Sequence, residues 1–239
     1  MIRRSTLAWP GPLPADQGRP RAVRLLAVSD EVERALEFER NRADLGRLDG
    51  ILGCGDLEPD YLAFLADAFC VPLLYVRGNH DRGSSWVAGT TKLPRPLGTR
   101  VERLAGVPIL GLSWPGEHRG QAIRDEAAAW RQAISAYLRA RGQGPLIILS
   151  HMPPRGHGDT PEDHYHLGFA AYHWLCRRLD PRLWLHGHTS VAASADWRVD
   201  WGTTTLTNVT GAVLVELTPP DQRGATIEAE STRTSEDPN

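Results

Sequence analysis

Val71-Pro72-Leu73-Leu74-Tyr75-Val76-Arg77-Gly78-Asn79-His80-Asp81 is the stretch from which the rest of the chain can be read. A short apolar run rich in β-formers ends in glycine, and three polar residues follow without an apolar one between them. In an α/β protein the carboxyl ends of buried strands are where loops gather and ligands bind. Gly78 lets the backbone turn sharply there, so an amide, an imidazole and a carboxylate arrive at one spot. Asn79 offers an oxygen to a metal or amide hydrogens to a phosphate, and His80 can ligate or carry a proton. The plainer alternative is a polar strand-end turn with Asp81 capping a helix.

Moving outward, the same design of apolar strand and polar cluster recurs at Ser29-Asp30, Gly55-Asp56, Ser150-His151 and His186-Gly187-His188. Strands are expected at 23–28, 50–54 and 71–76, with a helix between the first two reaching about Leu45. Pro59 suits the first position of a second helix over 60–69, with Tyr61, Leu62, Leu65 and Ala66 inward. This alternation argues a parallel βαβαβ start. Residues 82–100 read as a long loop, with Trp86 either a lid or a packed anchor. A strand at 107–114 precedes an amphipathic helix over 120–141 with Ile123, Ala127, Trp130, Ile134 and Leu138 inward. Further elements are a strand at 145–150, a helix at 168–179 and a strand at 182–186. Short antiparallel strands at 197–199, 204–208 and 212–217 are expected to close a second sheet. A last strand is possible at 225–229.

At 239 residues the chain suits one domain with a full-sized core. Residues 1–20 are Pro/Gly-rich and read as an arm, residues 21–217 as the domain, and residues 218–239 as a mostly loose tail. The net charge is −2 and no basic block occurs, so long-duplex nucleic acid is not an expected partner. Lys92 is the only lysine against many arginines, which suggests a GC-rich, bacterial genome. Cys54, Cys70 and Cys176 are odd in number and sit in or beside apolar stretches. They read as buried thiols of a reducing compartment, not a disulfide framework. Pro10, Pro12 and Pro14 interrupt any signal peptide, and no apolar run approaches the roughly 20 residues of a membrane span. A cytoplasmic protein without a membrane partner is therefore expected. The oligomeric state leaves no trace in the sequence.

The order and spacing of the five clusters resemble the calcineurin-like metallophosphoesterases, whose pattern is D-x-H, G-D, G-N-H-D/E, H and G-H-x-H. The resemblance runs from about residue 23 to about 216. It implies a four-layer α/β/β/α sandwich of two mixed sheets flanked by helices, with a metal-bearing cleft at the strand ends. It also implies a first divalent metal on Asp56, Asn79, His151 and His188, a donor set that suits Mn, Fe, Zn or Ni better than Ca. The second metal of the family uses D-x-H and the last histidine of G-H-x-H. In this chain Asp30 remains, but Val32 and Ser190 replace both imidazoles. One metal is then held tightly and the other site is selectively lost. Asp30 with Glu33 also has the spacing of a helix capping box.

His80 takes the family position beside the reacting phosphate, where it donates a proton to the leaving oxygen. Asp81 or Asp56 could orient its other ring nitrogen. The segment 151–159 resembles the H-x-P-P-x-G-x-G-D loop of the metallophosphoesterase-domain-containing subgroup. Its Arg155 could join Asn79 and His80 in holding phosphate. His157 and Asp159 could approach the second metal position, or Asp159 could simply bond turn amides. His186 is a candidate for holding a ligand in place, and Trp114 either stacks a substrate base or anchors the core. The resemblance implies hydrolysis of a small phosphodiester or nucleotide-type phosphoester by metal-activated water. The alternative is a degenerate relative that binds a nucleotide or phosphate without turnover.

Overall fold

The computed structural model describes residues 2–190 and 196–220. The first half runs β1 (Arg3–Ala8), β2 (Ala15–Asp16), β3 (Arg19–Pro20), β4 (Val23–Ser29), α1 (Glu39–Ala43), β5 (Gly50–Gly53), α2 (Pro59–Phe69), β6 (Leu73–Tyr75) and α3 (Gly83–Gly89). The second half runs β7 (Val101–Leu104), β8 (Val107–Leu112), β9 (Glu117–His118), β10 (Gln121–Ala122), α4 (Glu126–Ala140), β11 (Ile147–Ser150), α5 (Ala170–Leu179), β12 (Leu183–His186), β13 (Arg198–Trp201), β14 (Thr204–Asn208) and β15 (Gly211–Thr218). One sheet has the order β1-β15-β4-β5-β6 and the other β13-β14-β12-β11-β8-β7. The expected parallel start is present, because β4, β5 and β6 pair in parallel.

Strands β5, β8, β11 and β12 are buried along their whole length. Such strands need apolar partners on both faces. Successive side chains alternate between faces, and the clusters follow that alternation. Leu25, Ala27 and Leu52 of one sheet share a core with Ile109, Ile147, Leu149, Leu183 and Leu185 of the other. Their neighbours Leu26, Val28 and Ile51 pack with Leu62 and Leu65 of α2. Leu110, Ile148 and Trp184 pack with alanines of α4 and with Tyr172 and Leu175 of α5. The result is a mixed α/β fold. Its parallel strands end on one side, where their polar clusters meet.

Several expectations change. The N-terminal arm is in part a strand: β1 pairs in parallel with β15, burying Leu7, while Trp9 lies in the same core. Its sequence is polar, but pairing to an existing strand supplies what propensity lacks. Strand β15 lies in the first sheet, antiparallel to β4, and β14 runs parallel to β12, so of the three expected strands β13 alone adds to the second sheet antiparallel, on β14. After Asp30 the long helix is replaced by a 3-10 turn at Arg34–Glu37 and the short α1. Glu33 itself caps that turn by accepting from the Ala35 amide, so there is no capping box with Asp30. Within 82–100 lie α3 and a 3-10 turn at Thr90–Lys92. Trp86 is buried there and donates its indole N–H to the Leu57 carbonyl at 3.2 Å, which makes it an anchor.

Helix α4 turns the opposite face from the one expected. Ala129, Ala133, Ala136 and Ala140 are buried, while Ile123 before the helix and Trp130, Ile134 and Leu138 on it are exposed. Both stripes have helical period, and close packing against α5 and β8 selects the smaller side chains. Cys54 and Cys176 are buried thiols, whereas Cys70 is exposed at the end of α2. The possible strand at 225–229 lies outside the described residues. Among the described residues no helix is long and apolar enough to cross a membrane.

Candidate metal centre

Three site residues sit at strand ends with left-handed backbone: Asp30 at φ 60°, Asp56 at φ 57° and His188 at φ 65°. A side chain makes this conformation unfavourable, by about 1–3 kcal/mol at a strained position. Each of these turns aims its side chain back across the strand ends. Two glycines permit the close approach: a Cβ on Gly78 would fall 2.1 Å from Asp56 Oδ1, and one on Gly187 would fall 2.1 Å from Asp30 Oδ2.

His151, fully buried, is the hub. Its Nε2 lies 3.0 Å from Asp56 Oδ2, 2.9 Å from Asn79 Oδ1 and 3.0 Å from His188 Nδ1. Its Nδ1 faces the Cys54 carbonyl at 2.9 Å, and a carbonyl can only accept, so Nδ1 carries the proton. By the same reasoning His188 donates from Nε2 to the Tyr165 carbonyl at 3.0 Å. Both imidazoles therefore present lone pairs to the cluster, where a carboxylate and an amide oxygen also point. Four acceptors at this spacing need a positive charge among them. The mixed N/O donor set suits a transition-metal ion better than Ca.

Without an ion, the positive charge is a proton. Burial opposes it, but the hydrogen bond and charge of Asp56, with Asp30 behind, outweigh burial and push His151 up to about 9. Burial pushes the Asp56 carboxyl upward, yet His151 and the His80 amide hold it below its ordinary value. Burial and the His151 charge bring His188 down to about 4, leaving it a neutral ligand. His186 is brought down to about 4 by burial, and its Nδ1 lies 3.1 Å from the Gly187 carbonyl.

Asp30 stands at the margin, its Oδ1 4.0 Å from His151 Nε2. Its Oδ2 accepts from the His188 amide at 3.0 Å and the Thr210 hydroxyl at 3.4 Å. Val32 and Ser190 are both exposed, so neither fills the second metal position with an imidazole. The exposed His80 reaches the cluster through its backbone N–H, which donates to Asp56 Oδ1 at 2.8 Å.

The expected supporting residues have partners of their own. Asp81 does not orient His80: one of its oxygens accepts from the amides of Gly78 and Asp56, at 2.7 and 2.9 Å, tying two strand-end turns together. Burial raises this carboxyl to about 6. Asp159 accepts from the Gly156 and Gly168 amides while lining a hollow that His186 and Ser190 also line, and His157 stacks on Trp201 at 3.9 Å between ring centroids. Arg155 is engaged by Glu126 and by the Gly168 carbonyl.

Sequence reasoning missed the loop that folds over His188. It supplies the Tyr165 carbonyl and the His166 ring, whose centroid is 4.9 Å from that of His188. A backbone oxygen leaves no trace in a motif. Trp114 walls the other side, 5.4 Å from His188 and 6.2 Å from His151 between ring centroids, and donates its indole N–H to the Ile123 carbonyl.

No curated protein matches the chain significantly. The fold is shared with the solved structure of TT1561 from Thermus thermophilus, at TM-score 0.56 and 18% identity over 80% of this chain and 90% of that one. A dimetal phosphatase from Danio rerio aligns at TM-score 0.49 and 12% identity, over 80% of this chain and 88% of its own. The profile of the calcineurin-like phosphoesterase family matches residues 40–192, a span that holds Asp56, Asn79, His151 and His188. The chain belongs to the calcineurin-like phosphoesterase family.

Proposed function

We propose that this protein hydrolyses a phosphodiester or nucleotide-type phosphoester, using one tightly held divalent cation on Asp56, Asn79, His151 and His188. The observation that carries the reading is the convergence of lone pairs around His151 Nε2, with Asp56, Asn79 and His188 all at 2.9–3.0 Å. Mn is the first choice of ion, with Fe, Zn or Ni next. Bound there, the cation supplies Lewis acidity, polarising a phosphoryl oxygen and lowering the pKa of a water. The chain's own groups do the rest. Asn79 and His80 bind the phosphoryl group, and the exposed His80 imidazole protonates the leaving oxygen. Asp81 keeps the Gly78 and Asp56 turns in register. Trp114 forms an apolar wall for the group attached to the phosphate. Arg155 can contribute to phosphate binding only by leaving Glu126, so we give it no primary role. Its unpaired cysteines suit the cytoplasm of a bacterium.

The joint absence of two imidazoles, with Val32 and Ser190 in their places, favours a second reading, a protein that binds nucleotide or phosphate without turning it over. The deciding experiment is metal content per chain together with hydrolysis of an aryl phosphodiester under added Mn, Fe, Zn and Ni. Near-stoichiometric metal and turnover that His80→Ala abolishes support the hydrolase. Bound metal with no turnover under any of these ions supports the binder.

A further inference from the structure

Helix α4 leaves its larger apolar side chains unused by the core. Trp130, Ile134 and Leu138 lie along one face at 37, 48 and 55% exposure. Trp174 of α5 lies alongside, its ring centroid 5.6 Å from those of both Trp130 and Tyr137. These rings bridge the seam between the two helices. Arg131, Arg139, Arg141, Arg177 and Arg178 are all exposed on the same two helices or their ends. Within the helices Glu126 is the one carboxylate, and at their ends stand Asp125, 4.0 Å from Arg131, and Asp180. The chain as a whole has 27 basic and 29 acidic residues, so this excess is local. Helix dipoles account for arginines in the last turns. They do not account for the apolar stripe.

We propose that the α4–α5 face lies on an anionic lipid surface, with Trp130, Ile134 and Leu138 entering the headgroup boundary and the arginines meeting lipid phosphates. Beside Trp174 a hollow of about 420 Å³, lined by Ala170, His173, Arg177 and Arg178, has the charge and size to receive a phosphorylated headgroup. Symmetric packing of a second copy on this face would set the same arginines against each other. The expectation of no membrane partner rested on the lack of a spanning segment, which does not bear on in-plane contact.

The test is sedimentation of the full chain with vesicles of phosphatidylcholine alone and of phosphatidylcholine with an equal part of phosphatidylglycerol. Binding to the anionic vesicles only is expected, weakened by added salt. Ile134→Glu with Leu138→Glu should weaken it by about tenfold or more, since charges replace inserted methyl groups. Arg177→Gln with Arg178→Gln should also weaken it and flatten its salt dependence, which covers the case of a glutamate variant that does not fold. Both variants should hydrolyse a soluble aryl phosphodiester like the parent. No binding to either vesicle, or equal binding to both, overturns the proposal. A concentration-dependent dimer that the glutamate variant abolishes assigns the face to a second copy and overturns it as well.

Discussion

At the scale of single residues, the centre is a competition between a proton and a metal for one site. His151 has its imidazole raised to about 9 in the metal-free protein, chiefly because Asp56 outweighs burial. An unfolded histidine titrates near about 6.5. The interaction therefore stabilises the metal-free fold fully below that pH, and the gain disappears as pH rises through about 9. A cation must displace this proton, so its apparent affinity should rise about tenfold per pH unit between those limits and level off above them. Isothermal titration in buffers of different ionisation enthalpy would count the released proton, and an affinity independent of pH would refute the assignment. Asp81 is a second case. Replacing it by Ala orphans two buried amides, which should cost about 1–3 kcal/mol each and loosen metal binding, even though Asp81 touches no ligand atom of the metal. Urea unfolding and metal titration of the variant separate the two effects. That Asp56, Asn79, His151 and His188 come together was legible in the sequence, because metal chemistry restricts side-chain type at each strand end. The role of Asp81 was not, because a carboxylate that binds backbone amides looks the same in sequence as one that binds a histidine.

At the scale of elements, legibility depended on whether apolar pattern and packing distance agreed. They agree in β4, β5 and β6, where continuous apolar runs mean burial on both faces and the parallel start could be read directly. They disagree in α4, where hydrophobicity favours Trp130, Ile134 and Leu138 but close packing takes Ala129, Ala133, Ala136 and Ala140. The two readings predict opposite mutational costs. Ala133→Leu should destabilise by about 1–3 kcal/mol through overpacking, whereas Ile134→Ala should stay within about 0.5 kcal/mol. Urea midpoints at constant m-value decide between them. A large loss at Ile134 would restore the face expected from the sequence. Strand β1 failed for a different reason, since its polar alternation gains stability only from pairing with β15, some two hundred residues away in the chain. Deleting residues 1–8 should therefore strip the edge of β15, uncover its core face and lower the melting temperature sharply, an outcome that a surface arm would not give.

At the scale of the whole molecule, the centre depends on tertiary structure: Asp30 and His188 are 158 positions apart, yet a backbone amide of one donates to the carboxylate of the other at 3.0 Å. Parallel strands from both sheets must end together before any donor set exists, so the site and the fold should be lost in one transition. This also gives the loss at Val32 and Ser190 a structural meaning. The Asp30 carboxylate no longer needs a metal to be satisfied, because the His188 amide and the Thr210 hydroxyl already occupy Oδ2. The backbone that would carry the missing imidazoles remains beside it, with both positions exposed at the surface. Val32→His combined with Ser190→His should therefore be tolerated in stability and should raise the metal content from about one to about two per chain, since ligand count and type then match a second site of the same ions. Metal analysis after dialysis measures this directly. If the double variant folds normally and still holds a single metal, missing imidazoles are not what limits the chain to one ion. Asp30 is then a structural clamp on the His188 turn, and the chain is a single-metal protein by the design of its backbone.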